Sequence, residues 1–242
     1  MLTKRNILAA AAILGLAGVA TGSAFAGTIT GTVTYDGKVP NLKPIAMDAD
    51  PNCAKKHTTP QASDVLVLGD GNTMANILVR VVGGLPAGKT WPAPKEPAVM
   101  DQNGCRYEPH VLGIQIGQPF KILNSDGILH NVHSLPKINK PFNMAMPGNR
   151  KEATATFDKE ENIFQVKCDV HPWMSAFIMV TTNPFYAVTK KDGKFSIANL
   201  DPGTYEVEAW HEKLGTQKAS VTIGAAGDTK PIAFKFTAPA GK

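Results

Sequence analysis

Alternation with a period of two, broken at short intervals by Asp-Gly and Asn-Gly pairs, limits this chain to β structure. From Thr28 to Tyr35, Ile29, Val33 and Tyr35 fall on one side and threonines on the other. Phe164 to Cys168 repeats the pattern, so Cys168 shares a face with Phe164 and Val166. Tyr205 to Ala209 does the same. Such alternation marks half-buried strands. Asp36-Gly37, Asp70-Gly71, Asn103-Gly104, Asp192-Gly193 and Asp201-Pro202-Gly203 supply turns between them. No stretch after residue 26 sustains a helical period. The expectation is an all-β chain of sandwiches or barrels. Pro86 to Pro97 and Pro136 to Asn149 read as loops, and a boundary is expected near Thr181 to Pro184.

The first 26 residues stand apart. Lys4 and Arg5 precede an apolar run from Ile7 to about Ala20, and the segment ends Ala24-Phe25-Ala26. A basic start, a short apolar core and a small-x-small end describe a secretory signal peptide cut after Ala26. The mature chain is then expected in the periplasm or outside the cell. The apolar run is too short to span a bilayer comfortably, and nothing later resembles a transmembrane helix. Without Lys4 and Arg5 the net charge falls from +5 to +3, with no long charge run. That balance does not suit a nucleic-acid partner.

Three cysteines remain, Cys53, Cys105 and Cys168, and the sequence permits three pairings. An odd count in an exported chain leaves one thiol that needs a reason. Cys168 opens the segment Cys168-Asp169-Val170-His171-Pro172-Trp173-Met174, between a strand and a second strand from Ala176 to Thr181. A tight loop between strands can aim a thiolate, an imidazole and a thioether at one point. A Cys with two His and a weak axial Met is the ligand set of electron-transfer copper. The fourth ligand must come from elsewhere, and Leu123 to His133 offers His130 and His133. Residues three apart on a strand face opposite sides, so both cannot reach one metal. Paired Cys-x-x-Cys or His-x-His knuckles for zinc are absent, as is the Cys-x-x-Cys-His of a c-type haem.

His130-Asn131-Val132 resembles the first-ligand segment of cupredoxins, and Cys168 to Met174 resembles their ligand loop. The Cys-x-x-His-x-x-Met spacing, Pro172 and the His-Asn-Val-His stretch are most similar to amicyanin-like members. The resemblance covers roughly residues 111–181. It implies one type 1 copper site held by His130, Cys168, His171 and Met174. It also implies a Greek-key β-sandwich over residues 27–181, with an N-terminal β extension. Asn131 would tie the His strand to the Cys loop. Many relatives carry Pro at the position of Val170, whose N–H is here free to donate to the Cys168 sulfur and tune the potential. His171, flanked by Pro172 and Trp173, would be the electron exit at a docking patch, which Met144 and Met146 would extend. If Cys168 binds metal, Cys53 and Cys105 are left to form a disulfide.

Asp192 to Tyr205 resembles the carboxypeptidase regulatory-like domain, a small second β-sandwich expected over residues 182–242. Its likeness implies a supporting or glycan-contacting module, with Trp210 as the stacking surface. His57, His110 and His211 are expected to pack rather than ligate. The expected function is one-electron carriage between Cu(I) and Cu(II) with a redox partner protein, within a pathway such as amine oxidation. Four protein ligands leave no open position, so a copper enzyme is not expected. The competing expectation is a non-redox protein that binds glycan or stores copper.

Overall fold

The computed structural model describes residues 26–229 and 231–238. The expected signal peptide and its cut site lie almost wholly outside the described residues. In chain order the elements begin with β1 (Gly27–Tyr35), α1 (Pro51–Ala54) and β2 (Leu78–Gly83). Then follow β3 (Ala98–Gln102), β4 (Tyr107–Glu108), β5 (Val111–Gln115), β6 (Phe120–Asn124) and β7 (His130–Ser134). Next come β8 (Asn143–Met146), β9 (Glu152–Ala155), β10 (Glu161–Lys167) and β11 (Ser175–Thr181). The last are β12 (Tyr186–Val188), β13 (Lys194–Leu200), β14 (Gly203–His211), β15 (Gly215–Ile223) and β16 (Ile232–Phe236). The chain is all-β, as its alternation predicts. One expected loop is partly strand: Asn143 to Met146 pairs antiparallel with β7.

Two sandwiches share no core. In one, the sheet β5-β11-β10-β7-β8 faces the sheet β4-β3-β6-β9. Phe120, Ile122, Phe157, Phe164, Val166 and Ile178 fill the space between them. In the other, β13-β1-β16 faces β12-β2-β14-β15 over Ile29, Val33, Val79, Phe195, Val207 and Phe236. The expected division at residue 181 does not follow these sheets. β1 was expected to extend the first module, yet it pairs with β13 and, in parallel, with β16. β2 likewise pairs with β12 and β14. The reason is apolar patterning: β1 buries every second residue, and the face that matches it is made by strands near the C-terminus. The sandwich of residues 98–181 is therefore inserted into a scaffold built from both ends of the described chain. The segment before β2 also visits the insert, since Met47 and Cys53 lie in its core.

A small apolar seam joins the two units through Leu78, Val111, Met179, Phe177 and Trp210. Trp210 meets Phe177 edge-on at 5.2 Å, so its ring is spent on the seam rather than held out for a glycan. Arg80 donates to Glu208 and to Asn162 beside it. Tyr186 donates its hydroxyl to the Gly113 carbonyl at 3.0 Å. A Cβ on Gly113 would stand 2.2 Å from the Tyr186 ring. Gly113→Ala is therefore expected to destabilise by about 1–3 kcal/mol through overpacking. Urea unfolding measures this, and Tyr186→Leu in the same chain should recover part of the loss.

Candidate metal centre

β7 brings His130 and β10 ends immediately before Cys168. The chain then folds back on itself. Met174 N–H donates to His171 O at 2.9 Å, and Cys168 N–H donates to Met174 O at 3.2 Å. This closed turn points His171 at His130, with their Nδ1 atoms 2.9 Å apart. Cys168 Sγ lies 3.9 Å from His171 Nδ1 and receives the His171 N–H at 3.4 Å. The ligand atoms of His130, Cys168 and His171 all lie within 4.8 Å of one another, and all three residues are buried. Met174 is 1% exposed and packs in the same core. His133 points elsewhere, toward Asp169 at 3.0 Å.

Asn131 spans the gap between strand and loop. Its Oδ1 accepts the Asp169 N–H at 2.7 Å and the Cys168 thiol at 3.3 Å. Its Nδ2 donates to Asn143 and to Asp169, and its carbonyl accepts a hydrogen bond from the Tyr107 hydroxyl. Burial pushes the Cys168 thiol up. Hydrogen bonding by His130 and by the N–H groups of Asn131, His171 and, least, Val170 outweighs it, so the thiol is lowered to about 7. Burial pulls the His130 imidazole down, but Asp126 and Cys168 hold it above its ordinary value. A thiolate and two inward Nδ1 atoms, with Met174 buried in the same core, suit copper by donor chemistry.

Two site residues carry no signal in the sequence beyond turn formation. Asp126 Oδ2 lies 2.9 Å from His130 Nε2, and Asp50 Oδ2 lies 2.9 Å from His171 Nε2. Burial pushes Asp126 up, yet hydrogen bonds from His130, the Cys105 and Gly104 N–H groups and Lys56 lower it to about 2. Asp50 precedes Pro51 and caps α1 by accepting the Asn52 N–H at 2.8 Å. The i, i+4 spacing of Asp126 and His130 is legible afterwards, but strands give that spacing no special meaning.

The expected electron exit is corrected by the structure. His171 is 1% exposed, covered by Asp50 and by the disulfide between Cys53 and Cys105, and the Trp173 ring lies tilted beside it at 5.0 Å. Trp173 is half-buried, and it donates its Nε1–H to the Cys105 carbonyl. Pro172 and Val170 are the exposed residues of the loop besides Asp169. Met146 is fully buried and Met144 half-buried, so neither widens an exposed patch. His57 holds the Gly104 carbonyl at 2.8 Å, and His110 pairs with Glu212 at 2.7 Å. His211 accepts the N–H groups of Lys213 and Leu214. None of the three joins the centre.

The family model described as polysaccharide lyase family 4, domain II, matches residues 159–231. That stretch runs from β10 of the insert into the scaffold and is less than half of the chain. It names a different family from the regulatory-like domain expected for most of that segment. No curated protein matches the chain.

Among solved structures, the chain is similar to a Cu-containing nitrite reductase from Thermus scotoductus SA-01, at 20% identity and a TM-score of 0.34. It covers 42% of this chain and only 26% of the reductase chain. A purple cupredoxin from Nitrosopumilus maritimus is similar at 22% identity over 35% of this chain and 99% of that one, with a TM-score of 0.30. A methionine-to-alanine mutant of amicyanin in its Cu(I) form is similar at 18% identity over 43% and 98%, with a TM-score of 0.31. Likenesses this weak carry no functional weight, and function has to be read from the donor atoms.

Proposed function

We propose that the chain is an exported copper protein that carries single electrons, with His130, Cys168, His171 and Met174 as the residues that hold the metal. The observation that carries this reading is the convergence of two Nδ1 atoms and one thiol sulfur, all buried in a β-sandwich. Copper bound there would supply a one-electron couple between Cu(I) and Cu(II). The protein's own part is to hold the donors still. The Cys168 thiol, lowered to about 7, is substantially ionised at neutral pH. Asn131 locks the strand to the loop from both sides. Donors fixed in one arrangement need little rearrangement when the charge at the centre changes. A redox partner would meet the loop at Pro172 and Val170, because the His171 ring is covered.

The test is the visible spectrum of the purified chain after Cu(II) addition. A strong thiolate-to-copper band is expected, and Cys168→Ser should remove it without unfolding the protein. A folded wild-type chain with no band would sink the proposal. Tight zinc binding with no copper band would point to a zinc site instead. One observation favours a second reading, copper storage: the cover over His171. Rapid bleaching by ascorbate and recovery with ferricyanide would favour carriage. A band unmoved over hours would favour storage.

A further inference from the structure

We propose that Asp126 and Asp50 are positioning residues for the metal centre, each accepting a hydrogen bond from Nε2–H of one ligand histidine and placing a negative charge behind its ring. This rests on reading His130, Cys168 and His171 as metal ligands. A neutral imidazole has one N–H and one lone pair, and an ionised carboxylate can only accept. With Asp126 and Asp50 each 2.9 Å from an Nε2, that nitrogen carries the proton. A metal would then meet the Nδ1 lone pair of each ring, and until one binds, the 2.9 Å Nδ1···Nδ1 contact requires one of the two atoms to hold a proton. Carboxylates in this role fix ring orientation and raise ligand basicity.

The carboxylates are held independently of the histidines, which separates positioning from mere packing. Asp126 accepts the backbone N–H groups of Gly104 and Cys105, each at 2.8 Å, and pairs with Lys56 at 3.1 Å. Its side chain is 1% exposed. Asp50 is fixed by the turn of α1 that it caps. The disulfide joins the two carriers, since Cys53 lies in α1 and Cys105 supplies one of the Asp126 donors. The Cys53 sulfur lies within 4.8 Å of Asp50 and His171, and the Cys105 sulfur within 4.8 Å of Asp126 and His130. One covalent bridge thus sets both outer partners over both rings. The two charges favour the more positive oxidation state, so they hold the midpoint potential down. Lys56 offsets part of this at Asp126, whereas Asp50 has no cationic side chain paired with it among the described residues apart from His171 itself.

The experiment compares wild type with Asp50→Ala, Asp50→Asn, Asp126→Ala and Asp126→Asn, all with the disulfide intact. Cu(II) affinity is read by chelator competition and the midpoint potential by redox titration. The metal-free tautomers of His130 and His171 are read by ¹⁵N NMR. Wild type should show a proton on Nε2 of both rings, with one further proton held between the two Nδ1 atoms before metal binds. The alanine variants should lose the Nε2 proton and bind Cu(II) 10- to 100-fold more weakly. A tenfold loss selective for Cu(II) raises the midpoint by about 59 mV. The asparagine variants keep an acceptor oxygen without the charge, so they should regain the Nε2 proton but keep the part of the Cu(II) loss, and the matching rise in midpoint, that comes from the missing charge. If Asp126→Ala does not fold, the partly exposed Asp50 pair carries the test alone. Folded alanine variants with wild-type tautomers, affinity and midpoint would overturn the proposal. Absence of the copper band in wild type would overturn the copper reading and this proposal with it, whereas a normal wild-type band with unmoved variants removes this proposal only.

Discussion

Replacing Cys53 and Cys105 together by serine is expected to lower stability by about 4 kcal/mol and to uncover His171. The two cysteines are 52 residues apart, and the bridge removes the freedom of that loop from the unfolded chain. For a chain of this size, each kcal/mol shifts Tm by roughly 2–4 °C, so the midpoint should fall by roughly 8–16 °C. Calorimetry checks the thermal effect. The local effect is separate. The bridge holds α1 against the insert, and α1 carries the cap that places Asp50 on His171. Histidine modification by diethylpyrocarbonate, located by mass spectrometry, should miss His171 in wild type and reach it in the double variant. Equal protection of His171 in both proteins would show that the cover stays shut without the bridge.

Glu161→Ala should destabilise by about 3–5 kcal/mol, although Glu161 touches neither the proposed metal ligands nor the seam. Glu161 is 4% exposed at the start of β10. Its Oε1 accepts the Lys137 N–H at 2.9 Å. Its Oε2 accepts the N–H groups of Ile138 and Asn139 at 2.8 and 2.7 Å. Alanine would strand all three donors in a loop that has no other use for them. Burial pushes the carboxyl up, but these hydrogen bonds outweigh it and hold it below its ordinary 4.5. A group lowered on folding stabilises above its unfolded value and loses that contribution as pH falls through the folded value. The gap between wild type and Glu161→Ala in urea unfolding should therefore be full at pH 7 and narrow as pH falls below about 4.5. Glu161→Gln should lie between them, since one oxygen becomes an NH₂ that faces a donor. A gap independent of pH would refute the ionised-acceptor account.

The strands were legible because their apolar residues alternate. Cys168 and Val166 could be placed on faces before any contact was known. The Cys-x-x-His-x-x-Met spacing likewise carried information because a short loop limits where its side chains reach. The disulfide followed from a count of three, once Cys168 had another use. What was hidden depends on distance along the chain. β1 reads like any half-buried strand, and nothing in Thr28 to Tyr35 says that its partners are Phe195 and Phe234 rather than the adjacent residues. Asp50 and Asp126 stand before Pro51 and Gly127, where an aspartate normally means a turn. Both do make turns or loops, and only the folded arrangement gives each a second partner across 121 residues or four. The exposed edge expected for His171 failed for the same reason, because its cover comes from a segment that carries no mark of the metal centre.

The nested arrangement also sets a timetable. Gly31 lies beside Phe195, so a chain made from its N-terminus presents β1 about 160 residues before its antiparallel partner exists. All strands of the insert, residues 98–181, are synthesised within that wait. The frame can close only after the object it frames is complete. During the delay β1 is an unpaired edge, the kind of surface that invites adhesion between chains. Its outward threonines, Thr28, Thr30, Thr32 and Thr34, leave only one apolar face to protect. Long-range closure of this sort folds slowly. The rate at which a newborn chain becomes resistant to protease should therefore be set by the arrival of β13 and β16, and a released chain truncated before residue 194 should hold a finished insert on an open scaffold.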